Sequence, residues 1–368
     1  MGNIHEMTHS EKDLLTVIGR VPHDSLKDLL NHTEYKRTST IVRKLEEFKK
    51  QRILRGPIYD IDYGKLCRNA LHRFFCIIET DQSTETVVSY FQVIEPFAWM
   101  FPVLPPYKNL LNMGFFSSDD AETKALLQLL KEGGIITDYV VRVSCHERII
   151  ENPNFFGDVN PLADTLFDFC NNSTLDMSPG HHDTNWSECD IAILPYLRTG
   201  YKGAKLVEIL KAEKKLQKDW TYSQIKYSRE KMIKNGLIRK KYVIYPFSYN
   251  QCAHFVLFLK LQNIKLTQKM VCSFAKGARM YKELILCENW GLIECVSHPL
   301  FLTDLVNKLD SIDEITEKEV YQLRSISEKY SFTSPPLLTY FDFENQTLEY
   351  PYHVYREKIK EKLERESF

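Results

Sequence analysis

The stretch IVRKLEEFKKQRILRG, residues 41–56, carries six basic and two acidic side chains around a helix-spaced apolar seam. Ile41, Leu45 and Phe48 fall at i, i+4 and i+7, one face of a helix, and Gly56-Pro57 then marks a turn. IKYSREKMIKNGLIRK, residues 225–240, follows the same plan 184 residues later. A repeat that long means duplication of a whole domain pair rather than a solenoid.

The surroundings of both stretches extend the match. Before the first lie EKDLLTVIGR, with Ser10 as a helix cap, and SLKDLLNH at 25–32, capped by Ser25. After it, RILRGPIYDI has the β-prone runs of a wing. Helix, short helix, basic helix and wing form a winged helix-turn-helix pattern. In the second copy the same order is ECDIAILPYLRTG, with a kink expected at Pro195, then GAKLVEILKAEKKL, WTYSQIKYSREKMIKNG and LIRKKYVIYPF. Asn235-Gly236 stops the second basic helix, whereas Gln51-Arg52 in the first predicts a helix running into its wing without a glycine stop.

A β-α-β-β-α-β rhythm follows each winged helix. In the first copy it reads LHRFFCIIET, STETVVSYFQVI, FAWMFPVL, NLLNMGFFSS, DDAETKALLQLLKEGG and IITDYVVRVS. Leu54 matches Ile238, Arg55 matches Arg239, His72 matches His254 and Asn109 matches Asn289. The expected fold class is α+β, with two copies of a winged helix-turn-helix followed by a ferredoxin-like domain. The expected boundaries are 1–66, 67–150, a linker at 151–186, 187–250, 251–330 and a C-terminal extension at 331–368.

The 368 residues are 43% hydrophobic and 26% charged, with a net charge of −1. That balance gives no global pull toward nucleic acid or membrane, so any such pull must be local. No apolar run of membrane-spanning length occurs, and the N-terminus lacks a signal-peptide layout. Nine scattered cysteines suit buried thiols in a reducing compartment, so a cytoplasmic location without membrane contact is expected. HHDTNWSEC at 181–189 has zinc-capable side chains at no standard spacing, and no metal or other cofactor is expected. No GxSxG, P-loop or HExxH motif occurs, so the chain reads as no enzyme.

The local charge is concentrated. Residues 36–55 hold eight Lys/Arg against two acids, and residues 202–241 hold thirteen against four. Both maxima fall on the third helix and wing, where double-stranded DNA would be met. The start of such a helix reaches base edges and its flanks hold phosphates. The base-facing candidates are Ser39, Thr40, Arg43 and Lys44 in the first copy, and Ser223, Gln224 and Tyr227 in the second. Arg37, Arg55, Lys226, Arg239 and Lys240 are the candidate phosphate contacts. A solvated helix face is the plain alternative for each patch, and core packing is that for Tyr227.

This layout resembles the leucine-responsive (Lrp/AsnC) family of bacterial and archaeal transcription regulators, here in a tandemly duplicated, archaeal-type form. EKDLLTVI and ECDIAIL are similar to the family's opening helix. RTSTIVRKLEEFKKQRIL is similar to its recognition helix, with Arg52 where the family has Gly. CENWGLIECVSHPLFLTDLVNKL is similar to its strand, turn, strand and helix. The resemblance implies a DNA-binding transcription regulator, a homodimer through the ferredoxin-like domains and a small-molecule effector. Tyr107, Asn109, Asn289 and Trp290 stand at the hairpins nearest the implied effector site, where turn or packing roles compete. Two copies in one chain would mimic that dimer. Siroheme decarboxylases resemble the same architecture with a His-Asn-Tyr-type motif, which AWMFPVLPPYKNLL and ARMYKELILCENWGL lack. A protein-binding scaffold with degenerate winged helices is the third reading.

Overall fold

The computed structural model describes residues 7–23, 25–104, 109–167, 175–324, 332–333 and 338–366. The first winged helix comprises α1 (His9–Arg20), α2 (Asp28–His32) and α3 (Thr38–Lys50). Thr8 rather than Ser10 caps α1, in a capping box with Glu11. Leu14, Leu15 and Ile18 of α1 meet Ile41 and Phe48 of α3 in one buried cluster. The helix-turn-helix platform is therefore held by the periodicity visible in the sequence.

Arg52 corrects the expectation about how α3 ends. It takes φ +57°, and the Ile53 N–H donates to the Phe48 carbonyl at 3.0 Å. In the second copy Gly236 takes φ +71° and the Leu237 N–H donates to the Met232 carbonyl at 2.9 Å. Both helices thus end in the same left-handed turn, although only the second has the residue that adopts it without a Cβ penalty.

Strand β1 (Leu54–Ile61) leads to α4 (Tyr63–Leu66) and the first ferredoxin-like unit. That unit is β2 (His72–Glu79), α5 (Thr84–Phe91), β3 (Phe97–Pro102), β4 (Leu110–Ser117), α6 (Asp120–Glu132) and β5 (Asp138–Ser144). The connector then contributes β6 (Ile149–Glu151) and α7 (Ala163–Leu166). The second winged helix has α8 (Glu188–Thr199), α9 (Leu206–Lys215), α10 (Tyr222–Lys234) and β7 (Ile238–Ile244), and Pro195 lies within α8. Its ferredoxin-like unit is β8 (Ala253–Leu261), α11 (Ile264–Ser273), β9 (Tyr281–Cys287), β10 (Trp290–Ser297), α12 (Pro299–Asp310) and β11 (Ile315–Leu323). Strands β12 (Phe332–Thr333), β13 (Phe341–Asp342) and β14 (Thr347–Leu348) precede α13 (Tyr352–Glu366), which packs on α6. Among the described residues no helix is long and apolar enough to cross a membrane.

The two wing strands pair with each other. β1 and β7 run antiparallel from Leu54↔Ile244 to Ile61↔Ile238, with a bulge between Arg55 and Ile58. Gly56 fills that bulge at φ +122°, a conformation open to glycine. The edge strands are exchanged as well. The first sheet is ordered β12-β3-β4-β2-β5 and the second β11-β8-β10-β9-β6. β6, from the segment after the first unit, completes the second sheet. β12, from the segment after the second unit, completes the first.

Side chains fix this exchange. Lys282 is 2% exposed, yet it pairs with Glu151 of β6 at 2.7 Å and donates to the Phe274 carbonyl at 2.6 Å. A buried ammonium needs this many partners. The two sheets stack through Phe75 and Ile77 on one side and Val256, Phe258, Ile285 and Leu292 on the other. The second winged helix shares a core with the first ferredoxin-like unit, in which Ile191, Leu194, Ile225 and Met232 cluster with Phe74 of β2 and Phe91 of α5.

Arg148, between β5 and β6, ties the halves together. It donates twice to Asp60 of β1, at 2.9 and 2.8 Å, and once to Glu283 of β9 at 2.6 Å. Lys241 of β7 adds a 3.5 Å pair to Asp60. Burial pushes the Asp60 carboxyl up, but Arg148, Lys241 and Arg73 outweigh it and hold Asp60 well below the usual carboxylate range. Arg148→Met would leave the buried Asp60 and the half-buried Glu283 short of their cation. It should lower stability by about 3–5 kcal/mol in urea denaturation, as breaking one side of a buried pair does; a loss under about 1 kcal/mol would show that the clasp is dispensable.

Candidate functional site

The residues chosen from the basic patches divide into exposed and committed groups. Arg37, Ser39 and Arg43 are exposed on α3, and Thr40 is half-buried. Lys44 is not free to read a base edge: it pairs with Glu11 of α1 at 2.9 Å and Glu47 at 2.7 Å. Arg55 is exposed on β1, opposite Val243. On α10, Ser223 and Lys226 are exposed and Tyr227 is 69% exposed. Gln224 is bound into the Thr221 capping box. Lys240 lies over the Tyr242 ring at 5.6 Å. Arg239 stays exposed, with its guanidinium 3.3 Å from Glu147 and 3.7 Å from Asp62.

The effector candidates do not form one site. Tyr107 lies outside the described residues. Asn109 and Asn289 are exposed, and the Asn109 carbonyl accepts from the Thr80 N–H at 3.1 Å. Trp290 is buried in the inter-sheet core beneath Arg142, whose guanidinium lies 4.1 Å from its ring.

A different group of side chains meets where the first half joins the connector. A cavity of about 200 Å³ is lined by residues from α4 and the start of β2, from the end of β5, and from the connector at 179–181. Asp62 braces one wall from behind. It caps α4 through the Gly64 N–H at 3.1 Å and binds the Gly180 N–H at 3.0 Å. A Cβ on Gly64 would lie 2.2 Å from the Gly180 carbonyl oxygen, so this close approach needs glycine. On the other side the Glu147 N–H donates to the Met177 carbonyl at 2.7 Å. The connector is thus strapped across the cavity at both ends, and α4 is tied to α10 by Lys65 donating to the Asn235 carbonyl at 3.0 Å.

The polar groups inside are unusual. Arg73 is 7% exposed, lies 5.3 Å over the Tyr63 ring, and makes no side-chain hydrogen bond or ion pair with a described residue. The Tyr63 hydroxyl, closed off from solvent, has no hydrogen-bond partner among the described residues. Burial raises Tyr63 above the usual phenol range, against the pull of Arg198 and Arg73. Glu147 is 8% exposed; burial pushes its carboxyl up to about 7, with Arg73 opposing and Asp62 adding to the rise. His146 is shifted down by burial. A buried cation and an acid that titrates near neutrality can hold an anion and exchange a proton with it.

None of Tyr63, Arg73, His146 and Glu147 was singled out in the sequence. They lie in a one-turn helix, near a strand start and in a connector, with no motif to mark them, and only the fold brings residues 63 and 147 together.

No family model and no curated protein matches the chain. Among solved structures, the siroheme decarboxylase NirDL matches with a TM-score of 0.50 and 12% identity, over 98% of this chain and 100% of that one. A transcriptional regulator from Neisseria meningitidis, solved as its L-Met complex, matches at TM-score 0.31 and 14% identity over 38% of this chain and 89% of that one. An AsnC family regulator from Agrobacterium tumefaciens gives 0.30 and 17% over 38% and 90%. The full-length match shows the fold, two winged helices on two ferredoxin-like units. It also corrects the exclusion of an enzyme: a layout read as that of a regulator is, over its whole length, the layout of a decarboxylase.

The shifted acids set a pH dependence. Burial, with Glu283 directly across the ladder, pushes Glu294 up to about 8. Glu147 and Glu294 therefore hold protons in the folded chain that the unfolded chain releases near its ordinary carboxylate range. The stability they give is present below that range and is lost as pH rises through about 7 and 8. His146 and His254 are shifted down by burial and act oppositely at lower pH. Urea midpoints should thus fall between about pH 6.5 and 8.5. Glu294→Gln should make that fall shallower, and an unchanged slope would show that Glu294 is not held neutral.

Proposed function

We propose that the chain is an enzyme of the siroheme decarboxylase kind, acting on a tetrapyrrole that bears carboxylate side arms. The full-length architecture supports this reading, and the junction cavity is the single observation that carries it. Decarboxylation breaks the bond between a carbon and its carboxylate. Carbon dioxide leaves, and the electron pair left on carbon takes up a proton. The site must hold a carboxylate and supply that proton in a setting that excludes water. Arg73 provides a buried cation with open donors, and Glu147 is an acid that still carries its proton near neutral pH. The lack of a His-Asn-Tyr motif on the β3–β4 and β9–β10 segments is consistent with acid–base groups drawn from elsewhere in the fold.

The test is titration of the full chain with siroheme under anaerobic conditions. Binding should shift the Soret band, and incubation should give products lighter by one or two units of carbon dioxide by mass spectrometry. A Soret band that does not move at excess protein would end this reading.

A second reading rests on α10. Tyr227 is 69% exposed, with Lys226 and Ser223 exposed beside it, so the helix start offers a stacking ring among donors and a cation. We propose that this surface contacts double-stranded DNA, with Arg37 and Arg43 as its counterparts on α3. Fluorescence anisotropy on genomic duplexes should show salt-dependent binding, weakened about ten-fold or more by Lys226→Glu with Tyr227→Ala. Salt-insensitive binding, or none, would reject it.

A further inference from the structure

We infer that the junction cavity is a binding site for one small carboxylate group, clamped by Arg73 and hydrogen-bonded by Glu147. The inference deepens the decarboxylase reading by stating what part of a substrate the cavity takes, and it rests on that reading only for the identity of the whole molecule.

Size is the first constraint. About 200 Å³ is below the roughly 300–1,000 Å³ of sites that enclose a whole ligand. A macrocycle cannot enter, but an acetate or propionate arm can, with the rest of the molecule at the mouth. Charge is the second. Arg68 and Arg73, with His72 and His181, line the space, and only Arg73 among the arginines is buried. A planar guanidinium with open donors suits a two-oxygen carboxylate.

The distribution of backbone donors favours a carboxylate over a phosphate. Phosphate sites are built from converging backbone N–H groups at a turn or helix start. Here the N–H groups of Gly64 and Gly180 both already point at Asp62. What is left open is a guanidinium.

Glu147 then gives the site a proton dependence. Arg73 of β2, Asp60 of β1, Asp62 before α4 and Arg239 of β7 face it, with His146 beside it in the chain. Protonated, Glu147 donates a hydrogen bond to the incoming oxygen. Ionised, it repels the guest and takes the attraction of Arg73 for itself. With Glu147 titrating at about 7, the competent fraction falls about ten-fold between pH 6 and 8.

The experiment is calorimetric or saturation-transfer titration of the full chain with succinate, with inorganic phosphate in parallel. Succinate should bind at pH 6 and about ten-fold more weakly at pH 8. Glu147→Gln, which keeps a donor at every pH, should remove most of that dependence. Arg73→Lys keeps the charge but loses the fork and should cost about five-fold or more; Arg73→Met should abolish binding, with circular dichroism confirming that each variant folds. No succinate binding, equal affinity for phosphate, or an unchanged pH profile in Glu147→Gln would overturn the inference. Succinate binding with this pattern but no Soret shift with siroheme would refute the decarboxylase reading and leave the carboxylate site standing.

Discussion

The arrangement depends on one buried cation. Arg148 sits between two strands that belong to different sheets, and it brings together carboxylates from β1 and β9. Buried charges of this sort contribute little net stability but penalise any arrangement that separates them. The clasp therefore specifies position. It fixes where the β1–β7 ribbon crosses the second sheet, and through β1 it fixes α4 and the wall of the junction cavity. Hydrophobic burial drives the two sheets together, and the ion cluster decides in which register they meet.

The cavity is a product of that register. Its walls come from three segments, and the groups inside are polar ones that a well-packed core would exclude. Arg73 and Tyr63 bury donors that no described residue accepts, and Glu147 is held away from its ordinary ionisation. Each carries a desolvation cost. Costs kept together in one place are what a binding site requires and what structure alone does not.

Much of the architecture was legible. The 3.6-residue periodicity of Ile41, Leu45 and Phe48, and the repeat of the whole element order, led directly to two winged helices and two ferredoxin-like units. What was not legible depends on contacts distant in sequence. β6 is three residues inside a stretch rich in Pro, Asn and Gly, and it is a strand because Lys282, 131 residues on, holds Glu151. Lys44 looked solvent-facing from its helical position, yet Glu11 from α1 takes it up. Arg239 looked like a phosphate contact because it stands in a basic run, and the fold turns it toward Glu147. The exclusion of an enzyme failed for the same reason. It relied on contiguous motifs, whereas acid–base groups can be assembled from a strand and a connector that no local pattern marks.

The exchange of β6 and β12 also has a stoichiometric meaning. Each half supplies the edge strand of the other, so neither half is a complete folding unit. In an assembly of separate chains, such reciprocity would depend on the concentration of partners. Here the covalent connection keeps the partner at an effective concentration on the order of millimolar, however dilute the protein is. The ratio of the halves is fixed at one to one. Substitutions in one half no longer have to be tolerated by an identical copy, and a lone Arg73 or Glu147 can appear on one side of the pseudo-twofold without its mirror image.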